Sequence, residues 1–173
     1  MPVDLARLIR EIPDFPKPGI RFRDITPLLA DGEGLRAAVE QLAAPFRGRV
    51  DAVLGIESRG FILGAPVAVA LGVGLVLVRK PGKLPAAKHA ASYALEYGTD
   101  SLEIHQDALG KGHRVLIVDD LLATGGTATA AVDLVRRLHG DVVACAFLIE
   151  LVGLGGRDRL SPLPIHALLR YDA

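Results

Sequence analysis

The stretch VLIVDDLLATGGTATAAVDL, residues 115–134, sets two adjacent carboxylates, Asp119 and Asp120, at the end of an apolar run. A glycine pair follows, Gly125 and Gly126, flanked by Thr124 and Thr127, and a helical pattern begins there. The first amides of a helix have no intrahelical partner, and the helix dipole favours an anion beside them. Ala123, Thr124, Gly125, Gly126 and Thr127 can therefore offer backbone N–H groups and two hydroxyls to a phosphate, with the glycines permitting close approach. Neither the G-x-x-x-x-G-K-[ST] spacing of a nucleotide-binding loop nor the G-x-G-x-x-G of a dinucleotide site occurs here. An ionised carboxylate only accepts hydrogen bonds, which suits sugar hydroxyls. The pattern reads as a ribose gripped by the two acids and its 5′-phosphate gripped by the loop. The competing reading is a pair of helix-capping or solvated turn acids.

The elements that would position these groups alternate. VDAVLGI (residues 50–56), the strand ending at Val78, RVLIVDD (ending at Asp119 or Asp120) and DVVACAFLIE (residues 141–150) are apolar throughout rather than alternating. That pattern fits parallel strands covered on both faces. Residues 61–71 read as a buried helix and residues 126–138 carry helical periodicity, so strand–helix–strand units and an α/β fold are expected. Ligands of such sheets bind beyond the carboxyl ends of the strands, where residues 119–127 would lie. Residues 92–106, with Tyr97-Gly98-Thr99-Asp100 at the middle, read as a hairpin arm projecting from the sheet. RKPGKLPAAKHAA before it reads as a mobile loop, and the proline-punctuated residues 12–29 as an ordered cover segment.

The net charge is zero, which gives no general reason to expect nucleic acid or a membrane as partner. Locally the balance fails. Residues 58–95 hold no Asp or Glu but carry Arg59, Arg79, Lys80, Lys83 and Lys88. Such a block suits a polyanion, the alternative being a solvated basic loop. The length of 173 residues suits one domain, and the single Cys145 excludes a disulfide framework and fits a reducing compartment. No secretory signal is expected, since Asp4, Arg7, Arg10 and Glu11 interrupt the start. Residues 61–78 are uncharged, but Gly64, Pro66, Gly72 and Gly74 argue for a buried helix and strand rather than a membrane span. The five histidines, His89, His105, His113, His139 and His166, are scattered and offer no metal cluster.

VLIVDDLLATGGT resembles the phosphoribosyl-diphosphate (PRPP) motif of the type I phosphoribosyltransferases. PDFPKPGIRFRDITPLL, GIESRGFILGAP, VRKPGKLP, YALEYGTDSLEIH and IELVGLGGRDRL resemble, in the same order, the adenine-specific members of that family. The resemblance spans residues 12–160, and the combination is far more specific than the PRPP motif, which non-catalytic regulators share. A regulator would need a separate DNA-binding part, for which this length and charge leave little room. The same chemistry on hypoxanthine or xanthine is the other alternative.

The resemblance implies a central, mostly parallel sheet flanked by helices, with a hairpin lid (about residues 80–106) and an N-terminal hood (about residues 12–30). It implies Mg²⁺-dependent transfer of 5-phosphoribosyl from PRPP to adenine, giving AMP and diphosphate, in cytoplasmic purine salvage by a homodimer. The Mg²⁺ would be held mainly by substrate phosphates and water. Ser58 and Arg59 match the family's diphosphate loop, with a cis non-proline bond near Glu57-Ser58. Arg79, Lys80 and Lys83 match its second basic segment. Phe22 would stack on the base, the backbone of Arg21 and Arg23 would read its edge, and Leu121, with Leu122, would line the pocket. Glu96 matches the lid glutamate that moves the proton, with Tyr97 beside it and Glu103 a second candidate. Lys88 and His89 receive no role.

Overall fold

The computed structural model describes residues 2–95 and 97–173. Five parallel strands form the central sheet in the order β4-β3-β7-β8-β9: β3 (Ala52–Ile56), β4 (Gly74–Val78), β7 (Arg114–Leu122), β8 (Asp141–Val152) and β9 (Ile165–Asp172). Successive side chains of a strand point to opposite faces, and here both faces are filled. Val115 and Ile117 of β7, with Cys145 and Phe147 of β8, pack beneath α4 (Gly126–Arg137). Leu116 and Val118, with Ala144, Ala146 and Leu148, pack beneath α2 (Gly32–Ala43) and α3 (Arg59–Leu71). Burial on two sides is why these strands read as unbroken apolar runs.

The uncharged stretch divides as expected. Helix α3 ends at Gly72, whose φ of 68° is the left-handed cap that glycine adopts without strain, and β4 follows. Among the described residues no helix is long and apolar enough to cross a membrane. The N-terminal cover is an antiparallel hairpin apart from the main sheet, β1 (Arg10–Pro13) with β2 (Arg21–Asp24). Asp24 accepts from Thr26 N and Arg10 Nε at 2.9 Å each, fastening this hairpin to the short α1 (Thr26–Ala30). Asp31 then caps α2 by accepting from Gly34 N at 2.7 Å.

Two expectations need correction. Strand β7 does not stop at the acids. It continues to Leu122 because the long β8 keeps offering ladder partners, Ile149 to Leu121 and Glu150 to Leu122. The hairpin arm also begins earlier, as β5 (Lys88–Ala94) paired with β6 (Thr99–His105), so the end of the supposed mobile loop is strand. Nor does the arm simply project. Ala91, Tyr93, Leu102 and Ile104 are buried in the core on the α4 side, and Arg79 bridges to Glu103 through both backbone bonds. Sequence reading did not foresee α2 or β9.

Candidate active site

The carboxyl ends of β3 and β7 open into a cleft of about 930 Å³, walled by the turns that follow these strands and by the end of β5. Asp119 and Asp120 lie at its floor, still within β7, and both are buried. Asp119 Oδ1 accepts the Asp120 amide at 2.9 Å. Burial, then the neighbouring Asp120 charge, pushes the Asp119 carboxyl well above the usual range. Gly60 makes room for it: a Cβ there would lie 2.9 Å from both Asp119 Oδ1 and the Val118 carbonyl. Beyond the acids, Ala123, Thr124, Gly125, Gly126 and Thr127 line the cleft and lead into α4. Gly125 has φ of 83°, which a side chain would strain, and it abuts Gly156.

Every cation of the acid-free block that reaches this region is tied to a carboxylate from outside the block. Arg59 Nε donates to Asp120 Oδ2 at 2.5 Å, which raises the guanidinium pKa. Glu57 collects three donors: Lys83 Nζ and Lys80 N at 2.7 Å, and Arg79 Nη2 at 3.0 Å. Burial alone would raise the Glu57 carboxyl, but these hydrogen bonds outweigh it and hold it at about 2. Lys80 Nζ donates to Asp100 Oδ2 at 2.6 Å and Tyr93 Oη at 2.5 Å. The Glu57–Ser58 peptide is cis, as the resemblance implies.

The cleft thus brings together Ser58, Arg59, Lys80, Lys83, Asp119, Asp120, Leu121 and residues 122–127. Arg79 sits behind it, reaching the site through Glu57. Arg21, Phe22, Arg23 and Tyr97 do not line it. Phe22 stacks edge-on against Phe15, with centroids 5.2 Å apart. Arg23 pairs with Glu11 and lies over the Tyr171 ring at 4.2 Å. Glu103 faces the loop after β4, where it accepts from Gly82 N at 2.8 Å, and Lys88 approaches it at 3.7 Å. Glu96 lies outside the described residues. Sequence reasoning gave no role to Tyr93, Leu95 or Arg159, which also line the cleft. The cue for Arg159 was the pair Gly155-Gly156 set against two arginines.

The family model for the phosphoribosyl transferase domain matches residues 25–161. The adenine phosphoribosyltransferase of Rippkaea orientalis is 59% identical over 98% of this chain and all of its own. That of Acaryochloris marina is 60% identical over the same shares. Among solved structures, adenine phosphoribosyltransferase from Thermoanaerobacter pseudethanolicus superposes with a TM-score of 0.93 at 53% identity, covering 96% of this chain and 98% of its own. The Saccharomyces cerevisiae enzyme, complexed with D-2,5-dideoxy-2,5-imino-altritol 1,6-bisphosphate and adenine, gives 0.92 at 39% identity, covering 95% and 96%. Two adjacent acids and a glycine loop at a parallel sheet's carboxyl edge, together with a phosphoribosyl transferase domain match and full-length identity of this order, place the chain in the adenine phosphoribosyltransferase family.

Proposed function

We propose that the cleft transfers the 5-phosphoribosyl group of PRPP to adenine, giving AMP and diphosphate. The observation that carries this reading is the meeting, in one cleft, of two buried carboxylates, a glycine loop at the start of a helix and a cluster of cations. Asp119 and Asp120 accept the ribose hydroxyls, and Ala123 to Thr127 hold the 5′-phosphate. Ser58, Arg59, Lys80 and Lys83, with Arg79 behind Glu57, receive the diphosphate. The bond from C1 to the diphosphate oxygen breaks, its electron pair leaving with the diphosphate, and N9 of adenine bonds to C1. Fixed cations aimed at the charge that develops on the leaving group lower this barrier. Glu96 manages the proton that N9 gives up, under a lid completed by Tyr97. Leu121 borders the base, and the hood residues Arg21, Phe22 and Arg23, which stand outside the cleft, would close over it to recognise it.

Among the described residues no cluster of three or more His, Cys, Asp or Glu side chains could hold a metal ion. The oxygen donors at the floor of the cleft fit Mg²⁺ carried in on substrate phosphates, with the acids reached through sugar hydroxyls or water. Bound in this way, it would neutralise phosphate charge. Two copies associating fits the apolar face left open by Ile62 and Val69 of α3 beside Leu77 of the edge strand β4. The activity belongs to cytoplasmic purine salvage.

A spectrophotometric assay with PRPP, Mg²⁺ and each purine base in turn tests the reading. Adenine is expected to be converted to AMP in preference to hypoxanthine, guanine or xanthine. Turnover of another base without adenine, or none at all, overturns it.

A further inference from the structure

The phosphate loop itself brings amides and hydroxyls but no cation. Four cationic side chains line the cleft: Arg59, Lys80, Lys83 and Arg159. The first three are each bonded to a carboxylate. Among the described residues Arg159 has no ion pair and no side-chain hydrogen bond, and it is exposed. It also stands at the start of α4: a Cβ built on Gly126 would lie 3.8 Å from Arg159 Nη1. The guanidinium is therefore beside the first amides of a twelve-residue helix. It belongs to the end of the cleft opposite in role to the diphosphate cations, which cluster around Glu57 and Asp120.

Its placement is built rather than incidental. Arg159 lies on α5 (Gly156–Leu160), and Arg157 of the same turn is two residues away, so the two side chains face apart. Arg157 is drawn to the sheet by the buried Glu150 of β8, donating from Nε at 3.0 Å and Nη2 at 2.6 Å. This two-bond fork fixes the guanidinium plane as a single contact could not. Gly156 then lets α5 lie directly on the phosphate loop. A Cβ there would run into the Ala123 carbonyl and come within 2.8 Å of Leu122 Cδ1. With one arginine anchored to the sheet and the glycine seated on the loop, the other arginine is left facing α4.

We propose that Arg159 is the cation of the ribose 5-phosphate subsite, and that the Glu150–Arg157 pair positions it. This rests on the reading of the cleft as a phosphoribosyl site. A phosphate held by α4 would gain a charge-assisted hydrogen bond from Arg159. The guanidinium would also narrow the opening toward a second hollow of about 410 Å³ between β5 and α4, which Arg159 lines as well.

The test compares AMP with adenosine, which lacks only the 5′-phosphate, by calorimetry on the intact protein. Arg159→Gln is expected to weaken AMP by about tenfold to a hundredfold, leaving adenosine within about twofold. Arg159→Lys, which keeps the charge but loses the fork, should recover part of the loss. Equal AMP affinity in wild type and Arg159→Gln overturns the assignment, and so does an equal loss for adenosine, which would mean general distortion. Arg157→Ala should also erode the AMP preference, and the double variant Arg157→Ala/Arg159→Gln should lose no more than Arg159→Gln alone. Full additivity overturns the positioning role. The wild-type assay with PRPP and adenine separates the two levels: absence of turnover there removes the functional reading. Normal turnover with an unchanged AMP-to-adenosine ratio in Arg159→Gln removes only this one.

Discussion

Asp119 shows what it costs to bury an acid beside another at the floor of the cleft. Its carboxyl is buried beside another carboxylate, and its pKa in the folded chain is raised. A group of this kind favours folding while it stays protonated. That contribution is complete below its unfolded pKa of about 3.9 and is lost as pH rises through the folded value. Asp119→Asn, which never ionises, should therefore melt higher than wild type near pH 7.5, with the difference narrowing as pH falls toward about 4. Thermal melts across that range check it, and a difference independent of pH would contradict it. Glu96→Gln addresses the proton instead. It is expected to lower kcat by about 10²–10⁴-fold while PRPP affinity stays near normal, read by steady-state rates and direct binding. Near-normal turnover would remove Glu96 from the chemistry. The acids and the loop were legible in the sequence because they are neighbours in it. Their partners were not. Arg59 and Asp120 are 61 positions apart, and Lys83 and Glu57 are 26 apart. A block free of acids along the chain is not free of acids in space.

Among the elements, the succession β3, α3, β4, β7, α4 and β8 was readable because burial on both faces leaves strands a continuous apolar signature, whereas the half-exposed β9 leaves none. Element ends were less so. The run past Asp120 is strand only because β8 lies alongside to receive it, and β5 starts at Lys88 only because β6 pairs there. The seat of α5 on the loop after β7 was invisible for the same reason: its signal is the absence of a side chain at Gly156. Gly156→Ala should force that seat apart, destabilising the fold by about 1–3 kcal/mol. It should raise the KM for PRPP more than it changes the KM for adenine. Denaturant melts and paired kinetics would show both effects, and equal changes in the two KM values would mean that the loop is not specifically displaced.

For the whole molecule, the sheet is packed with apolar side chains on both sides, and Cys145 is buried in β8 with the thiol pushed up to about 12 by burial. A thiol reagent at pH 8 should therefore modify native protein only through unfolding, and denatured protein at once. Rapid labelling without denaturant would show a looser core than the packing implies. The zero net charge, uninformative in the sequence, is matched locally by ion pairs that occupy three of the cleft's cations in advance. The Arg59–Asp120 pair is lopsided: the arginine side chain keeps 52% of its exposure and the aspartate 12%. Water can satisfy a released Arg59 but hardly a deserted Asp120. Free diphosphate arriving alone would strip the arginine away and abandon the acid, whereas a sugar replaces the arginine before it leaves. Events in the cleft thus acquire a sequence in time. On the proposed reading PRPP would enter first, diphosphate would depart while the sugar still covers Asp120, and AMP would be the last to go.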